Sequence, residues 1–248
     1  MGKLDGKVAL ITGGSNGLGA ADARMLASEG AQVVITDIQD ELGEATAASI
    51  EGALYLHHDV RDEAQWRSVV DTVIERYGRL DILVNNAGLV IFGNVVDQSF
   101  ADYKMHVDVM LDGTFLGCKT AIPHIARAGG GTIVNMSSVG GIKGVGAIPA
   151  YAAAKGGIIA MTKSIAVYCQ EQGFNIRVNA IAPGAIETPM TAKAVAQLPK
   201  EEAGLAQLQN HGMGKPDDIA NTVLFLVGDS GRHITGTTIT VDNGETAR

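Results

Sequence analysis

The segment Tyr151-Ala-Ala-Ala-Lys155 sets a phenol four residues ahead of an ammonium, in a chain whose aromatic content is 4%. In a helix, positions i and i+4 share one face, so the two groups would occupy one small space. A phenol with a pKa of about 10 is a poor base at neutral pH. A fixed cation beside it favours the phenolate and lowers that value. General bases work best with a pKa near the operating pH, so the pair suits removal of a hydroxyl proton. Ser138 lies thirteen residues before Tyr151, and a loop of that length can return its hydroxyl to the helix start. Plainer accounts exist for each residue alone: an exposed tyrosine with a solvated lysine, and a serine that turns the chain after a strand. A serine nucleophile lacks support, because no G-x-S-x-G elbow surrounds Ser137 or Ser138.

A second constellation points to an anion. In Thr12-Gly-Gly-Ser-Asn-Gly-Leu-Gly19, Gly13, Gly17 and Gly19 allow a sharp turn and close backbone approach between an apolar run and a helical stretch. A helix beginning there offers free N–H groups and a positive dipole end to a pyrophosphate. Asp37 ends the next apolar run, 18 residues beyond Gly19, where an acidic side chain is expected to bond adenosine ribose hydroxyls. Its charge would oppose a 2'-phosphate. No Arg or Lys stands in Gly13–Gly19 or Thr36–Asp40 to offset it, so NAD is favoured over NADP. A surface-turn aspartate is the plainer alternative.

The elements that must position these groups are visible as alternating patterns. Near-continuous runs rich in Val and Ile end at Gly14, Asp37, Asp59, Gly88, Ser138, Gly184 and Gly244. Strands covered on both faces read this way. Helical stretches fall between them at Leu18–Glu29, Gln39–Ile50, Glu63–Tyr77, Asp102–Ala128, Tyr151–Gln172 and Pro216–Val227. The alternation predicts a doubly wound α/β fold with right-handed crossovers. Thr12, Asp37, Asp59, Asn85–Gly88, Ser137–Ser138 and Pro183–Gly184 all fall at strand C-terminal ends, the edge where such sheets bind ligands. Ala185–Gly214 fits neither pattern. It is either a flap over the site or an irregular surface excursion.

Composition bounds the rest. The 248 residues, 46% hydrophobic and 19% charged, suit one globular domain over 1–248. A net charge of -8 makes nucleic acid an improbable partner. Cys118 and Cys169 form no CxxC spacing, and the six histidines share no metal-ligand spacing. Neither a signal-peptide pattern nor a membrane-length apolar run is present, so a soluble, cytoplasmic, metal-free protein is expected.

Taken in order, the Thr12–Gly19 loop, Asn85-Asn86-Ala87-Gly88, Ser138, Tyr151-x-x-x-Lys155 and Asn179-x-x-x-Pro183-Gly184 resemble the short-chain dehydrogenase/reductase family in its single-domain form. The resemblance covers nearly the whole chain, and the ordered set is far more specific than any member of it. The run Arg177–Gly184, with Thr188-Pro-Met190 after it, looks most like bacterial hydroxysteroid and secondary-alcohol members. The resemblance implies a Rossmann-type, seven-stranded parallel sheet with helices on both faces, a nicotinamide cofactor, hydride exchange between an alcohol and a ketone, and a homotetramer. It assigns Tyr151 as base, Lys155 as the cation that activates it and holds the nicotinamide ribose, and Ser138 as the donor to the substrate oxygen. It assigns cofactor contacts to Gly13, Asn16, Gly17, Leu18, Gly19, Asp37, Ile38, Asp59, Val60, Asn86, Ala87, Gly88, Pro183, Gly184, Ile186 and Thr188, besides Tyr151 and Lys155. Val139, Ile142, Ile148 and Met190 are apolar candidates for the substrate side.

One position departs from the family. Many members carry V-N-L-x-G in the helix after the fourth strand, and this chain has Val109-Met110-Leu111-Asp112-Gly113. The family's asparagine is thought to hold a water in a proton relay, and Met110 cannot reproduce its amide bonds. A backbone carbonyl that keeps the water is the favoured account. Compensation by Asp112 and a slow relay are the others. Two competing functions follow: a 3-oxoacyl carrier-protein reductase, opposed by Asp37 and the acidic balance, and a non-catalytic dinucleotide-binding protein, for which Met110 is the only support.

Overall fold

The Val- and Ile-rich runs become strands because each sends alternate side chains into two apolar layers. In a computed structural model, which describes residues 2–197 and 212–247, they are β1 (Val8–Thr12), β2 (Gln32–Asp37), β3 (Leu54–His57), β4 (Ile82–Asn85), β5 (Gly131–Met136), β6 (Ile176–Pro183) and β7 (Thr238–Val241). Along β1, Ala9 and Ile11 enter one core while Val8 and Leu10 enter the other. Along β4, Ile82 and Val84 face the first core and Leu83 the second. With both faces buried, no polar alternation survives in the sequence.

All seven strands pair in parallel, in the order β3-β2-β1-β4-β5-β6-β7. The helices are α1 (Gly17–Ser28), α2 (Asp40–Ala48), α3 (Glu63–Tyr77), α4 (Phe100–His106), α5 (Gly113–Arg127), α6 (Pro149–Glu171), α7 (Pro189–Gln197) and α8 (Pro216–Val227). One core takes Leu26 of α1 with Ile219 and Val223 of α8. The other takes Trp66 and Val70 of α3, Ile125 of α5 and Cys169 of α6. Helices therefore cover both faces, as expected. Strand order reverses beside β1, whose neighbours are β2 and β4. This is the switch point where doubly wound sheets open a crevice at their C-terminal edge.

Two expectations need correction. The stretch Asp102–Ala128 is not one α-helix: it starts at Phe100, and a π-helical turn, Val107–Asp112, separates α4 from α5. The start of α5 is pressed against the loop after β3, since a Cβ on Gly113 would lie 3.0 Å from Val60 Cγ2. Ala185–Gly214 is partly regular. It contains α7, and Ile186 and Gly214 form an isolated parallel bridge. The remainder of the expected flap, 198–211, lies outside the described residues.

Candidate active site

The glycine loop is built by close approach. Gly13 has φ +64°, and a Cβ there would lie 2.8 Å from Ala87 Cα. At Gly19 a Cβ would lie 2.3 Å from the Gly13 carbonyl oxygen. Neither position has room for a side chain. Thr12 Oγ1 accepts from the N–H groups of Asn86 and Ala87, each at 3.1 Å, and Asn86 Nδ2 donates to the carbonyls of Thr12 (3.0 Å) and Gly13 (3.1 Å). The Asn86–Gly88 segment thus pins the loop that opens α1.

Asp37 ends β2 with its carboxylate already engaged. Ser15 donates to Oδ2 from its hydroxyl (2.6 Å) and its backbone N–H (3.2 Å). Ile38 and Gln39 donate backbone N–H groups to Oδ1 at 2.8 and 3.1 Å. The carboxylate is held in one orientation at the mouth of the loop.

At the other end stand the three chemical groups. Ser138 follows β5, and its Oγ accepts the Gly140 N–H at 3.1 Å, which leaves its own O–H free to donate. It stands near enough to the Tyr151 phenol to favour the ionised form. Burial holds that phenol above its ordinary value, and the Ser138 hydroxyl works against the rise. Lys155 is buried, donates to the Met136 carbonyl at 2.7 Å, and is pushed down to about 8 by burial. Its Nζ lies 5.6 Å from the Tyr151 ring centroid. The proximity expected of YAAAK is present, and in the protein alone burial leaves the phenol raised.

These groups share one cavity of about 540 Å³, within the usual range for a ligand site. Of the expected residues, Gly13, Asn16, Gly17, Leu18, Asp37, Ile38, Asp59, Val60, Asn86, Ala87, Gly88, Ser138, Tyr151, Lys155, Pro183, Gly184, Ile186 and Thr188 line it. Gly19 does not: it lies behind the loop, packed on Gly13.

A family model described as "Enoyl-(Acyl carrier protein) reductase" matches residues 13–246. The chain is 39% identical to a trans-4-hydroxycyclohexanecarboxylate dehydrogenase of Sinomonas cyclohexanicum, over 97% of this chain and 93% of that one. It is 39% identical to a 3-alpha-(or 20-beta)-hydroxysteroid dehydrogenase of Mycobacterium bovis, over 99% and 92%. The crystal structure of a levodione reductase superposes with a TM-score of 0.92 at 36% identity, covering 98% of this chain and 99% of that one. The chain belongs to the short-chain dehydrogenase/reductase family. Members of this family are oxidoreductases that bind a nicotinamide dinucleotide. The residues present fit such a group: a pocket of suitable volume, a loop whose Gly13 and Gly17 put no side chain into the cavity at the start of α1, and a fixed carboxylate at the end of β2.

Several residues of this dehydrogenase-type site were not singled out from sequence. Ser15 orients Asp37, yet its role depends on a loop folding back on a strand 22 residues away. His106 is buried against the edge of the Tyr151 ring, with centroids 6.3 Å apart, and its Nε2 accepts the Ile91 N–H at 3.0 Å. Arg61 and Met105 line the cavity, and no spacing rule marks either. Of the four apolar candidates for the substrate side, only Met190 lines the cavity; Val139 is buried in the interior and Ile142 is exposed. Met110 is fully buried on the π-helical turn, packed with Ala154 and Ile158. No helix among the described residues is long and apolar enough to cross a membrane.

Proposed function

We propose that the protein is an NAD(H)-dependent oxidoreductase that interconverts a secondary alcohol and a ketone on an apolar cyclic, aromatic or steroid-like substrate. The observation that carries this reading is the convergence of Ser138, Tyr151 and Lys155 on the cavity that also holds the glycine loop and Asp37. A bound nicotinamide supplies the hydride acceptor or donor and, when oxidised, a positive charge near the phenol. Tyr151 takes the carbinol proton in oxidation and returns it in reduction. Ser138 donates to the substrate oxygen as charge gathers there. Lys155 holds the ribose hydroxyls and keeps a positive charge near the phenol. Apolar Leu89, Val109 and Met190 on the cavity wall support an apolar substrate, as do the cyclic alcohols named for the two relatives.

NAD rather than NADP is supported by Asp37, whose fixed charge would oppose a 2'-phosphate. A homotetramer is supported by exposed Phe115 on α5 and by Val167 and Tyr168 on α6, and sedimentation velocity tests it. A cytoplasmic location belongs to the same reading, supported by two free, buried thiols, and cell fractionation tests it.

The deciding experiment is Tyr151→Phe. Turnover should fall by at least about 10²-fold, with NADH binding kept and NADH held more tightly than NADPH. Unchanged turnover would overturn the base, and tighter NADPH the cofactor. A second reading, reduction of a carrier-bound 3-oxoacyl group, is favoured by the acyl-carrier description of the family model. The net charge of -8 opposes docking of an acidic carrier. Kinetics with carrier-bound and free cyclic ketones separate the two.

A further inference from the structure

Arg61 stands on the cavity wall at the end that also carries Asp59 and Val60, and nothing in the proposed chemistry uses it. Its backbone is pinned. The Arg61 N–H donates to Asp59 Oδ1 at 3.0 Å, and the next residue, Asp62, caps α3 by accepting from the N–H groups of Ala64 and Gln65. Its side chain is held at both ends. Nε reaches Asp59 Oδ1 and Oδ2 at 2.9 and 3.0 Å, and Nη2 reaches Oδ2 at 2.5 Å. On the far side, Nη1 lies 3.5 Å from the sulfur of Met105 in α4, itself a wall residue. The guanidinium therefore bridges the loop after β3 and the helix after β4.

All these bonds are made by N–H groups, which point outward in the guanidinium plane, and the side chain stays 44% exposed on the cavity wall. A guanidinium face stacks well on a flat aromatic ring. If Asp37 takes the adenosine ribose, the ring at this end of the cavity is the adenine. We propose that Arg61 is a latch on the adenine, stacking on the ring from a position fixed by Asp59 and Met105, and so sets dinucleotide affinity. The inference rests on the dinucleotide reading above. The fork on Asp59 also neutralises Arg61, so it offers no free cation to a 2'-phosphate.

The test measures NADH, AMP and reduced nicotinamide mononucleotide binding by calorimetry in the wild type, Arg61→Ala and Arg61→Lys. Arg61 is part-exposed, and a thermal melt checks that the variants fold. Arg61→Ala should weaken NADH and AMP by about five-fold, the size of an ordinary cation–π contact. It should leave the mononucleotide, which lacks adenine, unchanged. Arg61→Lys keeps the charge without the plane and should resemble alanine. The latch is overturned by unchanged NADH affinity in Arg61→Ala, by equal weakening of the mononucleotide, or by full affinity in Arg61→Lys. Wild-type protein that binds no NADH would instead overturn the dinucleotide reading, and the latch with it.

Discussion

At the scale of single residues, the active groups oppose one another in a way that has kinetic consequences. Burial raises the Tyr151 phenol, and the Ser138 hydroxyl is the one local group that counters it. A hydrogen bond to the ionised form stabilises that form, so its removal must raise the phenol further. Ser138→Ala is expected to cut alcohol oxidation at pH 7 by about 10²–10³-fold and to move the acid limb of the kcat profile to higher pH. A lower kcat with an unmoved limb would assign Ser138 to the substrate oxygen alone. That Tyr151, Lys155, Ser138, Asp37, Gly13 and Gly17 meet at one cavity was legible, because residue types and short spacings mark them. Ser15, Arg61 and His106 were not, because each acts through a neighbour supplied by another element. The burial that raises the phenol was not legible, since sequence shows the partner Lys155 but not the surroundings.

At the scale of elements, parallel strands were the most legible part of the chain. A strand buried on both faces is mostly apolar, and the inner runs follow this in register, from Ala9 opposite Val33 to Ile133 opposite Val178, while the edge strands β3 and β7 are only half-buried. The break in Asp102–Ala128 was not legible, because a π-helical turn widens the spiral without needing glycine or proline. That turn carries Met110, which packs beside Tyr151 and near Lys155. A Cβ on Gly88 would lie 3.5 Å from Met110 Sδ and 3.6 Å from Lys155 Nζ. The thioether is thus part of the apolar surroundings that push Lys155 down to about 8. In Met110→Asn the new amide enters a cluster formed with Ala154 and Ile158. An unsatisfied buried polar group costs about 1–3 kcal/mol, which at this chain length lowers Tm by roughly 5 °C. The same amide solvates the ammonium, so Lys155 should rise and the alkaline limb of the kcat profile should move up. An unchanged melt and an unmoved limb together would show that Met110 does not govern Lys155.

At the scale of the whole molecule, two buried carboxylates give the fold opposite responses to pH. Asp81 is fully buried, and that burial alone would raise it. Bonds from Arg79 at 2.6 and 2.8 Å, from the Val8 N–H at 3.0 Å and from Lys7 at 3.2 Å outweigh the burial and leave it lowered. Its contribution is present above the unfolded-state pKa and lost as pH falls through the folded value. Asp22 is also fully buried, in α1, the helix that packs on α8, and neither oxygen has a hydrogen-bond partner among the described residues. Burial pushes it from its ordinary value of 3.8 up to about 8. The folded protein therefore keeps a proton that the unfolded chain releases, and stability must fall as pH rises from about 4 towards 8. Asp22→Ala removes this penalty at the expense of a small packing loss. Its Tm should match or fall below the wild type at pH 4, then exceed it by a margin that widens up to pH 8. Each pKa unit is worth about 1.4 kcal/mol, so the gap should reach a few kcal/mol, or several degrees. Thermal melts at pH 4, 6 and 8 decide the matter: a gap of constant size would mean that Asp22 keeps no proton in the folded state, and that a group elsewhere pairs with its charge.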